Sequence, residues 1–168
     1  MKEIRRHYPT LPRNVFLIGP KDPISTYATM LQCDAVIIYG TKTGVELSSQ
    51  GVPVIVAGEA WLRGKGVTMD ASSPEDYFRL LDELPLGRRL PDEVVRRART
   101  YAYHFFFRRM IPLEFTRPLE GWLPYRLELA RLVQCAPRRS AGLDLICDGI
   151  LNGRAFIYPE EQGLVAPE

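Results

Sequence analysis

Ala35-Val36-Ile37-Ile38-Tyr39-Gly40-Thr41-Lys42-Thr43-Gly44-Val45-Glu46-Leu47-Ser48-Ser49-Gln50-Gly51-Val52-Pro53-Val54-Ile55-Val56-Ala57 is the stretch that decides the fold. Residues 35–39 are apolar on both faces of an extended chain and rich in β-branching, the pattern of a central strand in a parallel sheet. Gly40 breaks the run. The spacing predicts a helix from about residue 43 to residue 50, with Gly51 as its carboxyl-side stop. Residues 52–57 then form a second strand buried on both faces, with Pro53 tolerated at its start. Two such strands joined through a helix run parallel, because the crossover returns the chain to the same end of the sheet.

Working outward, Val15-Phe16-Leu17-Ile18 is a short apolar run closed by Gly19-Pro20, which predicts a buried strand ending in a loop. Ser25 offers an N-cap to a helix reaching about Cys33. Residues 67–69 predict a short edge strand, and Pro74, Glu75 and Asp76 open a helix that runs to Leu84. Strands and helices therefore alternate with connections of a few residues, which means a parallel sheet with helices on both faces. The expected fold is α/β: a Rossmann-like three-layer α/β/α unit over residues 12–85, followed by a helical and irregular carboxyl-terminal extension over residues 86–168. Within the extension, a turn-rich stretch leads to a helix over residues 92–110. At 100° per residue, Val94, Ala98, Tyr101, Ala102 and Phe105 share the packing side, and Arg96, Arg99, Tyr103 and Phe107 fall opposite. That opposite side is either an ordinary exposed surface or a docking face for another domain, a partner or a membrane. A further helix is expected near residues 125–135, then an irregular tail.

Composition bounds the rest. The chain has 168 residues, 22 Lys+Arg against 20 Asp+Glu, and 46% hydrophobic residues. This is one globular domain, or one with an appendage, and no apolar run approaches the roughly 18 residues of a membrane span. The start (Met1-Lys2-Glu3-Ile4-Arg5-Arg6-His7) lacks the apolar core of a secretion signal. Cys33, Cys135 and Cys147 are odd in number and share no metal-ligand spacing, so they read as cytoplasmic thiols, Cys33 and Cys147 as buried small apolar groups. Only Lys2, Lys21, Lys42 and Lys65 are lysines; the arginines that make up the rest are scattered in pairs and offset by acids, so no nucleic-acid stripe is expected. His7 and His104, the only histidines, neighbour no ligand cluster, and no metal site is expected.

The chemistry concentrates where residue 39 leads into the helix. Ligands of open α/β sheets bind at the carboxyl ends of the strands. A helix start there presents free N–H groups and partial positive charge, suited to a phosphate. Lys42 adds a full charge, and Glu46, one turn in, is placed to accept hydrogen bonds from a pair of sugar hydroxyls. The plain alternative is an ordinary capped helix with a surface glutamate. Gly58 to Gly66 is not a P-loop, since five residues separate Gly58 from Gly64 where the motif has four, and Gly66 replaces its Ser/Thr. No GxGxxG follows the first strand, so a dinucleotide dehydrogenase lacks its phosphate turn.

Gly40 to Glu46, with Gly51 and Pro53 ahead of the run 54–57, resemble the donor-nucleotide motif of GT-B glycosyltransferases, where Glu, four residues, Gly, one residue, Pro recurs. More narrowly, Gly19-Pro20-Lys21-Asp22-Pro23-Ile24-Ser25 and residues 51–66 are similar to bacterial capsule and surface-polysaccharide biosynthesis transferases, over about residues 13–80. The resemblance implies a substrate rather than a resident cofactor: a UDP-, GDP- or CMP-sugar, with a saccharide acceptor. It implies that Thr41, Thr43 and Gly44 hold the donor phosphates, that Glu46 binds the ribose, and that Pro23, Ile24 and Ser25 lie against the nucleobase. Glu59, Arg63 and Lys65 would face the donor sugar, with Arg63 or Lys65 stabilising charge on the leaving group. GT-B enzymes have two Rossmann-like domains and this chain has room for the second only. The resemblance therefore implies a donor-binding half (a truncated gene or a split subunit) that needs an amino-terminal domain or partner subunit to supply the general base. The extension would then pack on the first unit or on that missing domain. A UDP-sugar 2-epimerase uses the same architecture but needs a histidine that these loops lack. A non-catalytic nucleotide-binding or docking module, acting on another protein or peripherally at the inner membrane face, is the third reading.

Overall fold

Val54, Ile55 and Val56 carry no solvent-exposed surface at all, and the sheet-bearing part of the chain is organised around them. The structure, a computed structural model, describes residues 2–119 and 125–159. Three short strands, β1 (Val36–Ile38), β2 (Val54–Val56) and β3 (Met69–Asp70), form a parallel sheet in that spatial order. Val36, Ile37 and Ile38 stand beside Val54, Ile55 and Val56, and Ile55 and Val56 stand beside Met69 and Asp70. The helices are α1 (Lys2–His7), α2 (Thr26–Gln32), α3 (Thr43–Ser49), α4 (Pro74–Asp82), α5 (Asp92–Tyr103) and α6 (Ala141–Asn152). The protein is thus mixed α/β with a parallel sheet. It separates into two compact units, Met1–Val95 and Arg96–Glu168.

In the first unit the sheet is covered by alternate use of the strand faces. Ile55 packs with Ala71 and with Leu80 of α4, and Tyr77, Leu81 and Leu84 close around them. Side chains alternate along a strand, so Ile38 and Val56 point the other way. There α3 comes so close that a Cβ on Gly44 would lie 2.5 Å from Ile38 Cδ1 and 3.2 Å from Leu62 Cδ1. Val45, Leu47, Val52, Val54, Ile55, Val56, Leu62 and Val67 are each at most 1% exposed. At about 1.5–3 kcal/mol per buried aliphatic side chain, their burial is the main stabilising contribution in this unit.

Polar contacts fix the ends of these elements. Ser25 caps α2 by accepting from Ala28 N at 3.3 Å, and Gly51 takes φ +82° where the chain leaves α3. The Asp34 carboxylate accepts from Leu86 N at 2.6 Å and Gly87 N at 2.8 Å. Arg89 donates to the carbonyls of Cys33 and Leu31, so the loop after α4 is tied to the junction between α2 and β1. Ser73 caps α4 by accepting from Asp76 N at 3.1 Å, and Asp76 accepts in return from the Ser72 amide and hydroxyl, both at 2.9 Å.

Several expectations are corrected. Residues 15–18 form no strand; Phe16 is 83% exposed. A short apolar run without alternation does not distinguish a strand from coil, and no strand of the described sheet pairs with this one. β1 is an edge strand rather than a central one, and Ile37 is 45% exposed; β2 alone is flanked on both sides. The third strand is Met69–Asp70, while Val67 is a buried loop residue. The amino-terminal helix α1 carried no sequence signal, and it buries no residue.

The second unit contains the larger share of α5, which passes into a π-helical turn, His104–Arg108. Instead of a helix over 125–135, β5 (Tyr125–Leu127) pairs antiparallel with β4 (Thr116–Pro118), and a 3₁₀ turn covers Leu132–Cys135. The tail is not irregular where described, because α6 fills much of it. Ser140 caps α6 by accepting from Leu143 N at 3.2 Å and donates its hydroxyl to Glu114. That bond first, then the backbone amides of Glu114 itself, Ala141 and Gly142, hold the Glu114 carboxyl below its usual range. Gly142 is required where α6 meets the Pro112 carbonyl, which a Cβ would overlap. Cys147 is exposed rather than buried, and Cys33 is half-buried. Residues 120–124 and 160–168 of the expected extension lie outside the described residues.

The cap of α4 yields a pH test. The Ser72 amide, then Arg79, then the Ser72 hydroxyl hold the Asp76 carboxyl at about 2, below its ordinary 3.8. A depressed folded-state pKa stabilises the fold above the ordinary value, and that contribution is lost as pH falls through about 2. Thermal melting of Asp76→Asn is therefore expected to vary less with pH than the wild type between about pH 4 and about pH 2. Parallel melting-temperature curves would contradict this.

Candidate functional site

The site is built where β1 and β2 end. After β1 the chain turns through Tyr39 and Gly40, and after β2 it turns through Gly58 and Glu59. The two turns touch: a Cβ on Gly40 would lie 2.8 Å from the Glu59 carbonyl oxygen, and one on Gly58 would lie 2.5 Å from the Tyr39 ring. Position 40 therefore needs glycine for this close approach, because the atom it meets is backbone, whereas a side chain at Gly58 would displace the exposed Tyr39 ring. This contact brings the start of α3 and the loop after β2 side by side at the carboxyl edge of the sheet.

At the start of α3, Lys42 holds the N-cap position without a side-chain cap bond. The first amides turn inward on local acceptors: Thr43 N reaches Thr41 Oγ1 at 3.4 Å, Gly44 N reaches Thr41 O at 3.4 Å, and Val45 N reaches Lys42 O at 3.1 Å. The hydroxyls of Thr41 and Thr43 lie 3.2 Å apart. Thr41 and Lys42 are exposed and Thr43 half-buried, whereas Gly44 is buried and its place is set by packing on Ile38 and Leu62.

Glu46 is held from two sides. The Tyr27 hydroxyl on α2 donates to Oε2 at 2.5 Å, and Lys42 Nζ stands 3.9 Å from Oε1. The hydrogen bond to Glu46, with the carboxylate's charge, raises the Tyr27 phenol above its ordinary value. Tyr27 is a site residue that the sequence reading missed. Ser25 as N-cap places Tyr27 in the first turn of α2, but a bond across 19 positions between two helices leaves no local pattern to read.

A cleft of about 420 Å³ opens at the turns after β1 and β2, with Tyr39, Gly58, Glu59, Arg63, Ser72 and Tyr77 in its wall. Its size falls in the roughly 300–1,000 Å³ range of small-molecule sites. Glu59 is exposed there. Arg63 is half-buried and braces the loop, donating to Gly58 O at 3.0 Å and Ala71 O at 2.8 Å. Lys65 is exposed and outside the cleft wall. Ile24 lines a separate cleft of about 470 Å³ in front of α2, with Ile18, Asp22 and Met30. Pro23 is exposed beside it, and Ser25 is committed to its cap. The expected site residues thus fall into three groups: Thr41, Lys42, Thr43 and Glu46 around Tyr27; Glu59 and Arg63 in the first cleft; and Ile24 in the second.

Chemically, the first group offers a carboxylate oxygen for hydroxyl donors, two hydroxyls and an ammonium group. The first cleft adds a second carboxylate, that of Glu59, with Tyr39 and Tyr77 also in its wall. Replacing Glu46 by Gln removes the charge that opposes ionisation of Tyr27, so ultraviolet titration of the tyrosines is expected to show one phenol moving to lower pH. Superimposable titration curves would contradict the Tyr27–Glu46 bond. No protein-family model, curated protein or solved structure matches this chain.

Proposed function

We propose that the sheet-bearing unit binds the nucleotide portion of a nucleotide-sugar and serves as the donor-binding part of a GT-B-type glycosyltransferase acting in capsule or surface-polysaccharide assembly. In this reading the three parallel strands, with α3 and α4 on alternate faces, are part of a Rossmann-like three-layer arrangement. The observation that carries the proposal is the contact of Gly40 with the Glu59 carbonyl, which joins the motif-bearing helix start to the loop after β2 at the strand ends. Ligands of open α/β sheets are taken up at those ends.

The roles follow from the groups present. Glu46, steadied by Tyr27, accepts from the ribose hydroxyls through Oε1. Lys42 and the hydroxyls of Thr41 and Thr43 face the donor phosphates. Glu59 lies toward the sugar, and Arg63 holds its loop in shape through two carbonyls. The general base and the acceptor site come from an amino-terminal domain or a partner subunit, as in the two-domain enzymes that the motif resembles.

Isothermal titration calorimetry of the full chain with UDP, GDP and CMP tests this reading. Saturable binding of at least one is expected, and Glu46→Ala is expected to weaken it by roughly 1–3 kcal/mol, the range for hydrogen bonds to a charged group. Unchanged affinity in Glu46→Ala would remove Glu46 from the ribose role. Absence of binding for all three would overturn the proposal.

A further inference from the structure

The donor-binding reading leaves open which class of sugar the strand-end cleft admits, and the cleft wall bears on that choice. Tyr39 is 75% exposed, yet one face of its ring is packed: a Cβ on Gly58 would lie 2.5 Å from both Cδ2 and Cε2 and 2.6 Å from Cγ. Near-equal distances to these ring atoms place Gly58 under the flat face of the ring rather than at its edge. The ring is thus backed on one side and exposed on the other. Tyr77, half-buried against Ile55, Ala71 and Leu80, supplies a second ring to the same wall.

Most polar groups of the wall are committed to the fold. Ser72 donates both its amide and its hydroxyl to Asp76, and the Ser73 hydroxyl caps α4. Arg63, the one cation of the wall, directs its terminal nitrogens at the Gly58 and Ala71 carbonyls. By contrast, the Glu59 carboxylate and the phenol hydroxyls of Tyr39 and Tyr77 have no hydrogen-bond or ion-pair partner among the described residues. The cleft therefore offers a ligand aromatic surface, two phenols and a negatively charged acceptor. Resting on the donor-binding reading, we propose that this cleft takes an uncharged hexose and turns away sugars that carry a carboxylate, such as uronic and sialic acids.

A hexose ring has an apolar C–H side and a rim of hydroxyls. The C–H side suits an aromatic face, which gains dispersion and buried area from it. The two oxygens of a carboxylate accept from neighbouring hydroxyls, and such charge-assisted bonds are about twice as strong as neutral ones. A sugar carboxylate would instead bring like charge toward Glu59 and find Arg63 already turned to two carbonyls. Like-charge juxtaposition of that kind is how a site rejects the wrong ligand.

Isothermal titration calorimetry of the full chain with matched ligands tests the inference: UDP, UDP-glucose and UDP-glucuronic acid; GDP, GDP-mannose and GDP-mannuronic acid; CMP and CMP-sialic acid. For each base that binds, the uncharged sugar is expected to bind about tenfold or more tighter than its acidic counterpart, and CMP-sialic acid more weakly than CMP. Tyr39→Ala is expected to weaken the uncharged-sugar complex about fivefold, and Glu59→Gln to shrink the gap between paired sugars to about twofold. Circular dichroism checks the fold of each variant, and the exposed Glu59 keeps the test decisive if Tyr39→Ala fails to fold. Nucleotide binding with no gap between paired sugars, or tighter binding of an acidic sugar, would overturn this inference and leave the donor-binding reading standing. Loss of bare GDP binding in Glu59→Gln would also overturn it, because Glu59 would then be reading a guanine base. Absence of binding by every nucleotide tested would overturn both.

Discussion

Everything in the first unit depends on one packing constraint: three consecutive β-branched residues, Val54 to Val56, are buried on both faces and along both edges. That burial requires a neighbour on each side, supplied by β1 and β3, and a helix on each face. It also requires close approach. Gly44 lets α3 lie against Ile38 and Leu62, and a side chain there would have to displace their terminal methyl groups. The same economy of space operates at the strand ends, where Gly40 and Gly58 let two turns meet at Glu59 and Tyr39. The candidate site is thus a consequence of how tightly the core closes beneath it.

Within the proposed donor-binding role, the polar groups divide between holding the fold and meeting a ligand. Arg63 is the clearest case. Its type and position suit charge stabilisation, yet its guanidinium bonds two backbone carbonyls and ties the loop after β2 to the end of β3. Glu46 is the opposite case: a half-buried carboxylate in the first turn of α3, beside Lys42 of the same helix and held by Tyr27 from another. A group restrained by a neighbour but not consumed by it is preorganised for a ligand, and that supports assigning it the ribose.

Much of this arrangement was legible in the sequence. The β1-α3-β2 stretch reads directly from two-face apolar runs, Gly51 at the helix stop and Pro53 at the strand start. Ser25 and Ser73 mark their helix starts by the chemistry of capping. The failures have physical reasons. Residues 15–18 have the composition of a strand, but pairing is a tertiary property that composition does not record. The edge position of β1 is likewise invisible, because its residues look the same whether or not a neighbour is present. In the second unit, α6 lacks a strong polar–apolar pattern and so does not stand out from an irregular tail, although Ser140 and Gly153 bracket it as a cap and a left-handed stop. The outward aromatic–arginine side of α5 was legible from helical spacing alone, and Tyr103 and Phe107 are exposed as that spacing predicted.

The most direct measurement of the central claim is a nitrogen-15 correlation spectrum of the labelled full chain, recorded as UDP, GDP and CMP are added in turn. If a nucleotide sits at the carboxyl ends of the parallel strands, saturable shifts are expected at Tyr27, at residues 41–46 and at residues 58–63, with α6 unmoved. Saturable shifts confined to the second unit, or to the amino-terminal helix α1, would contradict it.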